Sequence, residues 1–238
     1  MPKLKDILKD KDISNHWLET SLDTYDRKAN ETSDKNFDGI PMDYFRPSSA
    51  GNCPRALWYQ RLGYKQDPVK AQSLRRMNIG TLYHEFMETK FRGTGVLVSS
   101  EEEVSLDDPP VVGHYDAIIM NPKTKEKELV ELKSYANPKN KNFRLTLPKA
   151  DHIMQWNLYS LMTDVLQGII FYINKNDQKY KIYPVKRNER VLTTLFKKLK
   201  MVQDAIDKGE RIPYQPNENH DWCNWKNTCQ RDWFLKGE

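Results

Sequence analysis

Val111-Val112-Gly113-His114-Tyr115-Asp116-Ala117-Ile118-Ile119 and, further along, Leu129-Val130-Glu131-Leu132-Lys133 carry more structural information than any other part of this chain. The first run is rich in β-branched residues, which pack well on a pleated surface and predict a strand. In the second, the two-residue period of a strand puts Glu131 and Lys133 on one face. Between them, Asn121-Pro122-Lys123-Thr124-Lys125 has the composition of a turn. Paired antiparallel, the strands bring Asp116, Glu131 and Lys133 together at one end of a sheet. Hard carboxylate oxygens there suit Mg2+ or Mn2+, and a lysine beside them has a nucleophile or a developing charge to attend to. A half-buried sheet whose open face carries an ordinary salt bridge gives the same three residues, so the pattern needs support from elsewhere in the chain.

Two further elements supply it. Gly80-Thr81-Leu82-Tyr83-His84 falls in a segment whose Leu82 and Phe86 spacing predicts a helix upstream of the strands. Gln155-Trp156-Asn157-Leu158-Tyr159 begins a second helical run, in which Gln155, Tyr159, Met162 and Leu166 share a face. With Asp116 and Glu131-x-Lys133 between them, the order resembles the PD-(D/E)XK nuclease superfamily, here without a proline before the aspartate. The G-x-x-x-H and Q-x-x-x-Y elements are similar to those of its RecB-like branch. The resemblance implies an α/β fold, a central mixed β-sheet flanked by helices. It implies that His84, Asp116, Glu131 and the Leu132 carbonyl hold Mg2+ or Mn2+, which activates water and offsets charge on the phosphate. Lys133 then positions or deprotonates the nucleophile, while Gln155 and Tyr159 contact substrate phosphate or brace Lys133. Glu85 follows His84 but points roughly 100° away on a helix, so it ranks below the others as a ligand.

The chain has three cysteines, Cys53, Cys223 and Cys229. Cys53-Pro54-Arg55 precedes the nuclease motifs, and His220-x2-Cys223-x5-Cys229 follows them. Members of the same branch with an iron–sulfur clasp carry one cysteine before the motifs and C-x2-C-x5-C after, so His220 stands where the resemblance places a cysteine. Cys53, His220, Cys223 and Cys229 form a Cys3His set, a normal closed zinc site. Zinc is therefore favoured over [4Fe–4S], which remains the alternative. Free thiols buried as small hydrophobes are the ordinary reading of such residues. An odd count in a chain without secretory features argues against a disulfide framework.

With 238 residues, 30% of them charged, and a net charge of +5, the chain is long enough for one large domain with a real core. The small excess of positive charge fits phosphate binding through local patches and proves nothing alone. No apolar run reaches membrane-spanning length, and Met1-Pro2-Lys3-Leu4-Lys5 lacks the apolar core of a secretory signal. A soluble, cytoplasmic protein without a membrane partner is expected. Residues 1–46 are polar and read as a short helical arm followed by a mobile loop over 26–39, and residues 47–238 as the nuclease domain with its clasp. Ser48 or Ser49 is expected to cap a helix through Ala56 to Tyr59, with Gly63 as its stop. A helix over about 71–92, strands over 96–133, 168–173 and 179–185, and a long helix from Asn188 to Lys208 complete the order. Lys139, Lys141, Arg144 and Lys149, interleaved with Tyr135 and Phe143, make a linker able to meet phosphates and unpaired bases.

The expected activity is metal-dependent DNA hydrolysis, as an exonuclease in DNA processing, recombination or repair, with phage or mobile-element origin compatible. DNA that is single-stranded or has free ends is the expected partner, with proteins of a recombination or replication complex beside it. An endonuclease of the same superfamily and a non-catalytic nucleic-acid-binding zinc protein are the alternatives.

Overall fold

The structure, a computed structural model, describes residues 17–33, 38–136, 145–214 and 223–236. The chain divides into two units, one of Met1–Asn36 with Pro68–Ile79 and one of Phe37–Asp67 with Gly80–Glu238. In the smaller, helix α1 spans Trp17–Glu31. Residues 26–31, expected in a loop, continue this helix, with ion pairs along it. Arg75 meets Asp23 and Asp26 at 2.7 Å each, and Arg27 pairs with Asp23 one turn away, the spacing at which helical side chains are neighbours.

In the larger unit, a five-stranded sheet has the order β1-β4-β5-β6-β7, from Leu97–Ser100, Ala117–Met120, Lys127–Tyr135, Gln167–Asn174 and Tyr180–Lys186. Strands β5 and β6 run parallel and every other pair antiparallel. Parallel neighbours need a crossover, and helix α4, Ala150–Thr163, supplies it. The sheet is therefore mixed and flanked by helices, as expected. Strand β5 is buried from Val130 through Leu132 without alternation because both of its faces are covered. On one face, Val130, Leu132 and Phe171 pack with Met87 of helix α3, which spans Ala71–Gly93. On the other, Leu129, Ile170 and Tyr172 pack with Trp156 and Tyr159 of α4, and the Trp156 indole donates to the Leu129 carbonyl at 3.1 Å. Helix α5, Glu189–Asp207, is capped by Asn188, whose side chain accepts from the Arg190 and Val191 amides. Its Leu192 and Leu195 meet Leu158 of α4. Its Leu199, Val202 and Ala205 meet Ala56 to Tyr59 of α2, which spans Pro54–Arg61. Helix α6 covers Lys226–Lys236. Among the described residues, no helix is long and apolar enough to cross a membrane.

Three local expectations are corrected. The run from Val111 to Ile119 is two strands: β3, Pro110–His114, pairs with β2, Glu103–Asp107, in a separate ribbon, and β4 begins at Ala117. The chain changes partners across Tyr115 and Asp116, which composition alone does not mark. Neither Ser48 nor Ser49 caps a helix. Both lie in a 3-10 turn begun by Pro47, and α2 starts at Pro54, with Cys53 Sγ accepting the Ala56 amide at 3.4 Å. Proline at the first helical position loses no hydrogen bond. Leu166 lies beyond the end of α4 and is exposed.

Gly168 is fixed by the pairing of β5 and β6. A Cβ there would sit 1.9 Å from the Leu129 carbonyl oxygen, its partner in register, and neither backbone can yield without parting the central strands. Gly168→Ala is expected to cost about 3 kcal/mol or more, read as a lower midpoint in urea. A midpoint like that of the wild type would show that the strands have slack here.

Candidate active site

Asp116 occupies the crossing from the ribbon to the sheet, just before β4. Its Oδ2 accepts the Leu132 backbone N–H at 2.5 Å, which ties it to β5 beside Glu131 and Lys133. Glu131 is 1% exposed, and the Lys133 ammonium lies against its Oε1. A carboxylate this buried is costly unless a cation accompanies it, and Lys133 does so. From α3, His84 brings Nδ1 to 3.3 Å from Asp116 Oδ1. Glu85 on the next helical position is exposed.

A third acid joins them. Glu101 Oε1 is 3.9 Å from His84 Nδ1, and one donor atom each from His84, Glu101 and Asp116 lie within 4.8 Å of one another. Glu101 sits in the turn between β1 and β2 with φ +54°, a conformation unusual for a residue with a side chain. The turn is held from both sides: the Glu101 amide donates to the Tyr115 carbonyl at 3.0 Å, and the buried Tyr115 hydroxyl donates to Glu102 at 2.5 Å and meets Ser99 at 2.7 Å. In sequence, Glu101-Glu102-Glu103 reads as a solvated acidic run, and no motif spacing marks its first member.

The titratable groups of this cluster are set by one another's charges. Burial would lower the His84 pKa, but its bonds to Asp116 and Glu101 and the Asp116 charge push it up to about 10. Burial would likewise lower that of Lys133, and the Glu131 and Asp116 charges raise it above the ordinary lysine value. Burial raises Glu131 to about 7 despite the Lys133 charge, with Asp116 adding to the rise. Asp116 stays below its usual value in spite of burial, through its bond to His84 and the charges of His84 and Lys133. Carboxylate oxygens and one imidazole nitrogen in this arrangement fit Mg2+ or Mn2+.

Gln155 and Tyr159 lie one turn apart on α4, hence on one face, and both are buried. The Tyr159 pKa is raised by burial and by the charges of Glu131 and Asp116, so its hydroxyl keeps its proton. Gly113 makes room for it. A Cβ on Gly113 would come within 2.8 Å of both the Tyr159 hydroxyl and Pro47 Cδ. Gly113→Ala is expected to displace Tyr159, costing about 1 to 3 kcal/mol and about 2 to 12 °C in thermal midpoint. Adding Tyr159→Phe, which removes the obstructing oxygen, should recover part of the loss; a double variant less stable than the single one would show that Pro47 sets the limit.

The three cysteines converge away from these residues. Cys53, Cys223 and Cys229 line one small cavity together with Pro54, Ile212 and Pro213. Burial raises the Cys223 thiol pKa, and the neighbouring Cys53 and Cys229 add to the rise. Their sulfurs do not gather as closely as the His84, Glu101 and Asp116 donors. His220 lies outside the described residues, as do Lys139, Lys141, Phe143 and Arg144 of the basic linker.

A family model for the PD-(D/E)XK nuclease superfamily matches residues 96–230. No curated protein sequence matches the chain. Among solved structures, the chain is similar to the crystal structure of SSO0001, with 18% sequence identity and a TM-score of 0.54, over 89% of this chain and 96% of that one. It is also similar to an alkaline exonuclease, LHK-Exo, from Laribacter hongkongensis, with 14% identity and a TM-score of 0.51 over 74% of this chain and 93% of that one. The complex of LHK-Exo with dAMP aligns over the same shares with 13% identity and a TM-score of 0.52. At these identities the likeness is one of fold.

Proposed function

The chain belongs to the PD-(D/E)XK nuclease superfamily, and from that premise we propose that it is a divalent-metal-dependent deoxyribonuclease of the RecB-like branch, acting as an exonuclease. Its main support is the meeting of Asp116, Glu131, Lys133 and His84 in one cluster, with His84 on Asp116 and Lys133 on the buried Glu131. His84, Asp116, Glu131 and the Leu132 carbonyl would hold the ions, and Glu101 adds an oxygen that the sequence motifs do not include. When bound, Mg2+ or Mn2+ supplies an activated water and offsets the charge that develops on the phosphate. Lys133 sets its ammonium beside the attacked phosphorus, with Glu131 fixing Nζ. Tyr159 keeps its proton and can donate it to a phosphate oxygen, as can the Gln155 amide.

DNA with free ends is the proposed substrate, and DNA processing, recombination or repair the setting, with residues 47–238 as the nuclease domain and 1–46 as an arm before it. Exonuclease action is tested with linear and covalently closed circular DNA of one sequence. Degradation of the linear form to mononucleotides while the circle persists is expected; nicking or linearisation of the circle would make the protein an endonuclease.

We also propose that Cys53, Cys223, Cys229 and His220 hold a structural metal that clasps the two ends of the domain. Convergence of three cysteines from distant parts of the chain on one cavity supports this. The Cys3His donor set is that of zinc, whereas thiols spread around a cavity suit a cluster, whose separate irons each take a ligand. Stoichiometric zinc in a colourless protein decides for the first, and iron with acid-labile sulfide in a brown one for the second.

A further inference from the structure

Tyr172 is the register partner of Lys133 in the parallel pairing of β5 and β6, so the two side chains leave the same face of the sheet side by side. Tyr172 is 1% exposed, and its hydroxyl meets two nitrogens near the start of α4: the Lys149 backbone amide at 3.1 Å and His152 Nδ1 at 2.6 Å. A backbone N–H only donates, so the hydroxyl accepts from Lys149. Among the described residues its own proton has one acceptor, His152 Nδ1. The neutral imidazole then carries its hydrogen on Nε2. Near Nε2 stands Asp151 Oδ2 at 3.9 Å, beyond hydrogen-bond reach.

His152 is thus a mostly buried ring, its side chain 17% exposed, with an N–H donor that has no partner among the described residues. Burial and the Lys133 charge hold its pKa down at about 4, against the opposing pull of Asp151 and Asp116. The ring lies 5.6 Å, centroid to centroid, from that of Tyr172, the residue beside Lys133, which sets it at the edge of the site. A neutral donor there has a clear use: it can bind an anionic oxygen without adding a second positive charge beside Lys133 or competing with a cation for the carboxylates. Neither His152 nor Tyr172 is part of the motifs that led to the site.

We propose that His152 Nε2–H is a phosphate-binding donor of this site, presented to a non-bridging oxygen of the nucleic-acid strand, with Tyr172 as the positioning residue that fixes its tautomer. This role presupposes the nuclease reading above.

The full chain, labelled with 15N-histidine, provides the first test. The His152 resonances should report the Nε2–H tautomer, and Nε2 should shift when a single-stranded oligonucleotide is added with Ca2+. An Nδ1–H tautomer, or a ring indifferent to the oligonucleotide, would overturn the proposal. In cleavage assays, His152→Ala should lower kcat/KM about tenfold to a hundredfold, the range for a hydrogen bond to a charged group, with Mn2+ affinity unchanged. His152→Gln should return to within about fivefold of wild type, since its amide can accept from Tyr172 and still donate. Tyr172→Phe should reduce kcat/KM in the His152 protein and cause no further loss in His152→Ala, the signature of residues acting as one unit. Additive losses would contradict the positioning role of Tyr172. Cleavage by wild type and His152→Ala alike would count against His152 alone, whereas a wild type that cleaves no nucleic acid would count against the nuclease reading itself.

Discussion

Lys133→Ala and Glu131→Gln are each expected to lower DNA cleavage by about a thousandfold or more, because each removes a group aimed at the reacting phosphate or its ions. The two substitutions also probe a single buried pair from opposite sides. Glu131 is 1% exposed and meets Lys133, so loss of the ammonium leaves a carboxylate whose burial already raises its pKa to about 7. In Lys133→Ala that carboxyl takes up a proton rather than remain charged and unpaired. The fold therefore survives, with a thermal midpoint lowered by several degrees, while activity disappears. Glu131→Gln keeps the shape of the side chain and removes its charge, so it should be folded, inactive and impaired in Mn2+ binding. Asp116→Asn belongs with them but also weakens the tie to the Leu132 amide, and its loss of stability should be the largest of the three. Cleavage within about tenfold of wild type in either Lys133→Ala or Glu131→Gln, where general acid–base or metal-ligand roles are worth far more, would remove that residue from the active site.

The second large effect concerns stability. Structural metal binding is folding free energy, because the unfolded chain has no preformed site, and a link from Cys53 to Cys229 closes a long loop of the unfolded chain. Removal of the metal by a strong chelator, or Cys223→Ser, should lower the thermal midpoint by about 10 °C or more, at the few degrees per kcal/mol of a chain this size. Cys53 does a second job as the cap of α2, so Cys53→Ser, which keeps a cap oxygen, separates the two contributions. A protein with no bound metal, and a Cys223→Ser midpoint within a degree of wild type, would return the three cysteines to the apolar cluster in which Cys229 is already buried. The nuclease site would stand unaffected, since no residue is shared between the two.

The pairing of β4 with β5 was legible because the two-residue period and the Asn121 to Lys125 turn are local properties, and the sheet carries them unchanged. The long α5, expected from Asn188 to Lys208, was legible for the same reason. The break at Tyr115 and Asp116 was not, because β-branched composition is the same on both sides and the change of partner depends on strands elsewhere. Glu101 was hidden more deeply. Its role follows from a left-handed turn held by Tyr115 and from the reach of His84 on a distant helix, and neither leaves a trace in local composition. His152 and Tyr172 are a similar case: no motif contains either, and only the register of β5 and β6 places Tyr172 beside Lys133.

The most direct test of the metal-dependent nuclease is the fate of end-labelled single- and double-stranded DNA with wild-type protein stripped of divalent ions, then supplied with Mg2+, Mn2+ or excess EDTA. Release of labelled product with Mg2+ or Mn2+, none in EDTA, and none from Glu131→Gln under any condition is the expected result. Cleavage that persists in EDTA, or intact DNA in every condition with a folded wild-type protein, would contradict it.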